Sequence, residues 1–187
     1  MKRIVTAAVA ALMLTGSLAG LAGCGTGPST DELIRDDVAS ELELIGEDAA
    51  ASTDAIAANM GQELDALGVD AKAFAQAYTE GYSYSIDAVD VDEEAGTATA
   101  RVSMSCKSMA KILADFKTAF TDKVNSLDLN GMTQDDLYKL GGETLMDVVA
   151  KAEPEKKTLD LVYAKGEDGE WRADESAATE LMDALKG

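Results

Sequence analysis

At Gly81 the apolar residues of this chain stop recurring every three or four positions and start recurring every second one, and that switch limits the folds open to it. Tyr82, Tyr84 and Ile86 alternate with Ser83, Ser85 and Asp87. The phase then slips, so that Val89 and Val91 carry the apolar side, as a β-bulge would produce. After the turn Asp92-Glu93-Glu94-Ala95-Gly96 a cleaner strand returns. Ala98, Ala100, Val102, Met104 and Cys106 fall on one face, with Thr97, Thr99, Arg101, Ser103, Ser105 and Lys107 on the other. A second hairpin is expected near the end: Leu159, Leu161 and Tyr163 alternate, "KGEDGEW" turns the chain, and Trp171 and Ala173 return.

The rest reads as helix. Ser29-Thr30-Asp31-Glu32 forms a capping box ahead of Ile34, Val38, Leu42 and Ile45, and Gly46 stops that stripe. A second helix is expected after Asp54, through Ile56, Met60, Leu64 and Leu67 to Gly68. A third runs from Asp70 to Gly81, with Val69 and Phe74 placed as a hydrophobic staple around the Asp70 cap. A long helix from Ser108 should bury Met109, Ile112, Leu113, Phe116, Phe120, Val124 and Leu127, and Asn130-Gly131 breaks it. The next starts at Thr133, where Thr133 and Asp136 can cap it, and continues through Leu137, Gly141, Leu145 and Val148 to Pro154. Gly141-Gly142 inside that stripe costs helix propensity and marks close packing or a kink. A closing helix carries Ala178, Leu181, Met182 and Leu185, capped by Asp174 or Ser176. These elements predict an α+β domain, an antiparallel sheet of about four strands in two hairpins packed against several helices on one face. Helix, hairpin, helix occurs twice, a similarity of topology with little shared sequence.

The amino-terminal stretch predicts where such a domain resides. Met1-Lys2-Arg3 is followed by an apolar run containing Ile4, Val5, Val9, Leu12, Met13 and Leu14, and then by small residues, which is the layout of a secretory signal. Leu21-Ala22-Gly23-Cys24 resembles the lipobox of bacterial lipoproteins. That resemblance implies cleavage before Cys24, diacylglycerol on its sulfur, and a protein held on the extracytoplasmic side of the cell membrane. Two acyl chains anchor stably where one does not. Two alternatives stand beside this reading. Ile4 to Gly23 is long enough to span a bilayer, although Gly16, Ser17, Gly20 and Gly23 thin its far end, and Cys24 could pair with Cys106. On the lipoprotein reading, residues 1–23 are the signal peptide, 24–29 the lipidated cysteine and a short linker, and 30–187 one soluble domain.

Charge narrows the partners. The chain holds 35 acidic and 16 basic residues for a formal −19, and without Lys2 and Arg3 the mature chain would carry 14 bases against 35 acids. This argues against nucleic acid and against docking on anionic lipid through a basic patch. Histidine is absent, which removes the commonest general base and transition-metal ligand.

Few residues of the chain form a pattern that carries chemistry. "DAVDVDEEAG" presents Asp87, Asp90, Asp92 and Glu94, but Ala95 occupies the position where a calcium loop needs Gly, so these acids read as a polar turn. No phosphate-binding Gly loop, nucleophile elbow or paired-cysteine motif is present, and no metal, cofactor or catalytic residue is assigned. Cys106, on an apolar strand face, reads as a small core residue. What remains is a non-catalytic binding or interaction module for a small apolar ligand or an envelope protein, with a pocket between sheet and helices lined by Tyr82, Tyr84, Met104, Phe116, Phe120 and Trp171. The competing reading of those six is ordinary core. A second hypothesis is an envelope hydrolase that works with two carboxylates and no histidine. The strand, Asp-Gly turn and Trp-bearing strand of Leu159–Ala173 resemble the end of cystatin-like and nuclear-transport-factor-like exported domains, although the chain has fewer strands and more helix than those folds.

Overall fold

A computed structural model describes residues 27–46, 50–128 and 130–187. Among these the chain order is α1 (Thr30–Glu43), α2 (Ala50–Ala66), α3 (Ala71–Thr79), β1 (Ser83–Asp92), β2 (Thr97–Cys106), α4 (Met109–Ser126), α5 (Gln134–Lys151), β3 (Glu155–Lys165), β4 (Trp171–Ala173) and α6 (Glu175–Lys186). The fold is α+β. The four strands lie in the order β1-β2-β3-β4, each antiparallel to its neighbour.

The alternation in the sequence sets the two faces of the sheet. Ala98, Ala100, Val102, Met104 and Cys106 of β2 are buried with Leu159, Leu161 and Tyr163 of β3. Small stands opposite large across the ladder, Ala98 facing Tyr163 and Ala100 facing Leu161, so the layer fills without overlap. The other face is polar. Arg101 pairs with Asp160 directly across the ladder at 2.9 Å, and the Asp87 carboxylate accepts the Ser103 and Ser85 hydroxyls at 2.5 and 2.9 Å. The register slips between Ile86 and Ala88, where the sequence phase slips, so Asp87 is the bulged residue.

Two helices cover the apolar face. α1 lays Ile34, Val38, Leu42 and Ile45 on β1 and β2, the first three with no exposed surface, and α6 lays Ala177, Leu181, Ala184 and Leu185 on β3. Hydrogen bonds fix α1 in place. The Tyr82 and Tyr84 hydroxyls donate to its Leu42 and Ala39 carbonyls at 3.0 and 3.3 Å, and Arg35 donates to the Ile86 carbonyl of β1 at 2.9 Å. Its first turn carries the Ser29–Glu32 capping box.

Helices α2 to α5 form a second core of their own, centred on Leu64, Val69, Phe74, Ile112, Leu145 and Val149. The turn from α2 to α3 is a Schellman motif: the Val69 N–H bonds the Leu64 carbonyl at 2.8 Å and the Gly68 N–H bonds the Asp65 carbonyl at 2.9 Å. Gly68 sits at φ +67, which favours glycine. Val69 is thereby pressed onto Leu64, and Asp70 caps α3 by accepting from the Ala73 N–H at 2.8 Å. α5 takes this turn against its backbone. A Cβ on Gly142 would overlap the Leu67 carbonyl oxygen, and one on Gly141 would lie 3.0 Å from the Leu67 side chain. The paired glycines therefore serve close packing.

α4 departs from expectation. Of its seven-residue stripe only Ile112 is buried, and Leu113 and Leu127 are 37% and 42% exposed, because α4 packs mainly on α5 and no layer lies beyond it among the described residues.

The two cores join at the sheet end that holds Ser83, Cys106 and Glu155. The last carbonyls of a helix lack helical partners, and α6 places those of Ala184, Leu185 and Lys186 here, beyond a final helical bond at Asp183. Asp183 accepts from the Gly187 N–H at 3.0 Å and Ala184 from the Lys157 ammonium and, at 3.5 Å, the Cys106 thiol. Leu185 accepts from the Tyr78 hydroxyl at 3.0 Å and Lys186 from the Ser108 hydroxyl at 3.3 Å. Lys107, which the alternation assigns to the outer polar face, instead has its side chain 3% exposed. Its ammonium donates to the Ala77 and Val149 carbonyls at 2.7 and 3.0 Å and lies 3.8 Å from Glu80. Strand geometry ends at Cys106, so the period-two rule no longer governs position 107. The cation sits at the last turns of α3 and α5, where helix dipoles favour positive charge.

Candidate functional site

The six residues expected to line one pocket lie in two places. Tyr82, Tyr84, Met104 and Trp171 belong to the sheet core, whereas Phe116 packs on the helical core and stacks with Phe120 at a ring separation of 5.7 Å. Phe120 lies beside α5 at Gly141. Burial pushes the Tyr82 phenol above its ordinary value, with the neighbouring Tyr84 adding to the shift. Cys106 is a free buried thiol, its pKa raised by burial, which suits a core residue rather than a nucleophile. Cys24 and the stretch before it lie outside the described residues.

The structure opens a different site. A groove of about 780 Å³ runs between the α2–α3 turn and one side of α5. One wall is Asp65 to Asp70 with Ala73. The other is a helical stripe of Tyr138, Gly142 and Met146, flanked by a second stripe of Asp135, Lys139, Glu143 and Asp147. The local sequence explains the shape. Gly142 lets the Leu67 backbone sit on the helix and the Schellman turn holds Val69 down, so the groove floor is made by Leu67, Val69 and Met146. Tyr138 stands at one end, 43% exposed. The rims are acidic. Asp70 is committed to capping α3 and Asp147 lies 3.4 Å from Lys123, while the carboxylates of Asp65, Asp135 and Glu143 have no hydrogen bond or ion pair among the described residues.

The sequence reading missed these residues. The signal available was the spacing of Tyr138, Gly142 and Met146, four apart along α5, running from an exposed ring to a buried glycine and a half-buried methionine, together with the paired glycines.

A second cluster lies where α1 faces β3. The Tyr163 hydroxyl, on a side chain with no exposed surface, donates to the Asp37 carboxylate at 2.7 Å. Partial burial raises the Asp37 pKa, the Tyr163 hydrogen bond acting against it. Burial and the charge of Asp37 raise that of Glu41, one helical turn on. Two carboxyls whose ionisation is held back could in principle divide acid and base roles. Here the donor beneath Asp37 is a core tyrosine. The acids of "DAVDVDEEAG" act as local acceptors, Asp92 taking the Ala95 N–H at 2.8 Å and Glu93 the Thr30 hydroxyl at 2.6 Å. Among the described residues no three metal-capable side chains gather, and no helix is long and apolar enough to cross a membrane.

No protein-family model and no curated protein sequence matches the chain. Among solved structures it is similar to one from Bacillus subtilis subsp. subtilis str. 168, named a "putative lipoprotein (ycdA)", with 12% identity and a TM-score of 0.43. The match covers 72% of this chain and 44% of that one, so the chain spans less than half the length of the structure it resembles.

Proposed function

We propose that the chain is a lipoprotein of the cell envelope, attached to the membrane through diacylglycerol on Cys24, facing the extracytoplasmic side, and acting as a non-catalytic binding or interaction module. The observation that carries this is Leu21-Ala22-Gly23-Cys24 at the end of a basic-then-apolar leader, six residues before α1 begins. The fold suits a tether there. The Thr30 hydroxyl is bonded to Glu93, and Lys165 reaches the same carboxylate at 3.0 Å, so α1 starts at the turn end of the sheet. Six residues reach at most about 21 Å, which keeps that end near the bilayer. The groove belongs to the helices attached at the other end of strands about 30 Å long, leaving it open to partners in the envelope. Replacing Cys24 with Ser should release the protein from membranes or leave residues 1–23 in place; a Ser variant that is still processed and membrane-bound contradicts the reading.

The hydrolase reading rests on Asp37 and Glu41. Their position against buried Tyr163, with the groove elsewhere, supports binding over catalysis. Turnover of a chromogenic glycoside by the wild type, lost in Asp37→Asn, would reverse that preference.

A further inference from the structure

The groove between the α2–α3 turn and α5 combines two chemistries, and each limits what can fill it. Its floor of Leu67, Val69 and Met146, with the Tyr138 ring at one end, is apolar. Among the described residues its rims hold Asp65, Asp135 and Glu143 with no partner, Asp147 shared with Lys123, and Lys139 as the one cation in the lining. A neutral apolar ligand would cover the floor and take water from carboxylates without pairing them. A bare polycation would pair the carboxylates and leave the floor wet. We propose that the groove docks a basic, apolar-tipped segment of another envelope protein, in which Lys or Arg residues bracket one aliphatic side chain. This deepens the binding-module reading and rests on it. The Gly142–Leu67 contact and the Schellman turn hold both walls before binding, so little ordering of the site opposes association. Acid outnumbers base five to one in the lining against 35 to 16 in the whole chain, so a basic segment is drawn here beyond its general attraction to the surface.

The test uses the full lipidated chain in zwitterionic nanodiscs and two fluorescein-labelled pentapeptides, one with leucine and one with serine between two pairs of lysines, followed by fluorescence anisotropy. The leucine peptide should bind at least fivefold tighter than the serine peptide, and both should weaken with added salt. Asp65→Lys with Glu143→Lys should weaken both more than tenfold. Glu94→Lys with Glu167→Lys, the same charge change in the two hairpin turns, should weaken them less than twofold. Tyr138→Ala, at an exposed position, should lower affinity for the leucine peptide and leave the serine peptide unchanged. Equal binding of the two peptides, equal loss in the two double variants, or full displacement by spermine at matched charge overturns the proposal. Failure here with diacylglycerol present on Cys24 sinks the groove and leaves the anchor standing; peptide binding by a chain without lipid does the reverse.

Discussion

The sheet with α1 and α6, and the cluster of α2 to α5, use the same kinds of apolar side chain but bury them to different depths. Among the described residues seventeen buried side chains make up the first core and six the second. Three of the four exposed large hydrophobics, Leu113, Leu127 and Tyr138, belong to the second part, as does the groove. The sheet half is held by a ladder, by apolar side chains worth about 2 kcal/mol each when fully buried, and by tyrosine hydroxyls aimed at α1. The helical half is held by a thin core, by one backbone contact at Gly142, and by Lys107 at the ends of two helices. A thin core with an apolar face left open belongs to the part of a protein that changes its packing or meets a partner. On the proposed reading, the sheet half serves as the scaffold and the helical half as the recognition surface.

The sharpest way to break this comparison is to damage the thicker core. Tyr163→Ala empties a fully buried site and should cost about 3–5 kcal/mol in urea unfolding, moving the whole transition to lower urea. If the helical half kept its own unfolding step, the two parts would be independent folding units. Lys107→Met removes the donor to two buried carbonyls and should cost about 2–3 kcal/mol, with exchange of α3 and α5 amides quickened more than that of β2. Uniform acceleration across both halves would show that the junction is not where they separate. Gly142→Ala drives a Cβ into the Leu67 carbonyl and should cost about 1–3 kcal/mol, confined by hydrogen exchange to the helical half, with the groove altered. The smallest effect concerns pH. Asp37 is held above its ordinary carboxylate value, so its contribution to stability is complete below that value and is lost as pH rises through the raised one. The groups facing it are Glu41 on its own helix and Tyr163 on β3. Asp37→Asn mimics the protonated form, and wild-type stability should fall relative to this variant over that window. A parallel pair of curves would place the titration elsewhere.

Local rules explain what could be read from the sequence. The caps at Ser29, Asp70, Thr133 and Asp174 were legible because a cap depends on residues within one turn, and all four are present. The bulge at Asp87 was legible because a register slip changes which residues are apolar. Alternation shows which face of a strand is buried but not what covers it. It therefore could not separate the helices that lie on the sheet from those that build a second core, or place Tyr82 and Phe116 in different clusters. Lys107 was assigned to the wrong face because one residue past a strand end the rule fails, and only the packed junction shows two carbonyls waiting for a cation. The groove was half legible. Gly141-Gly142 announced a close approach, but that the approaching group is the Leu67 backbone depends on contacts between elements more than seventy residues apart.

The proposed envelope location depends on how the chain begins in its mature form. The most direct measurement is intact and fragment mass spectrometry of the protein taken from its own membranes. The account predicts a chain that starts at Cys24 and carries a diacylglyceryl group on that sulfur. A chain that retains residues 1–23, or one that starts elsewhere with Cys24 unmodified, would contradict it.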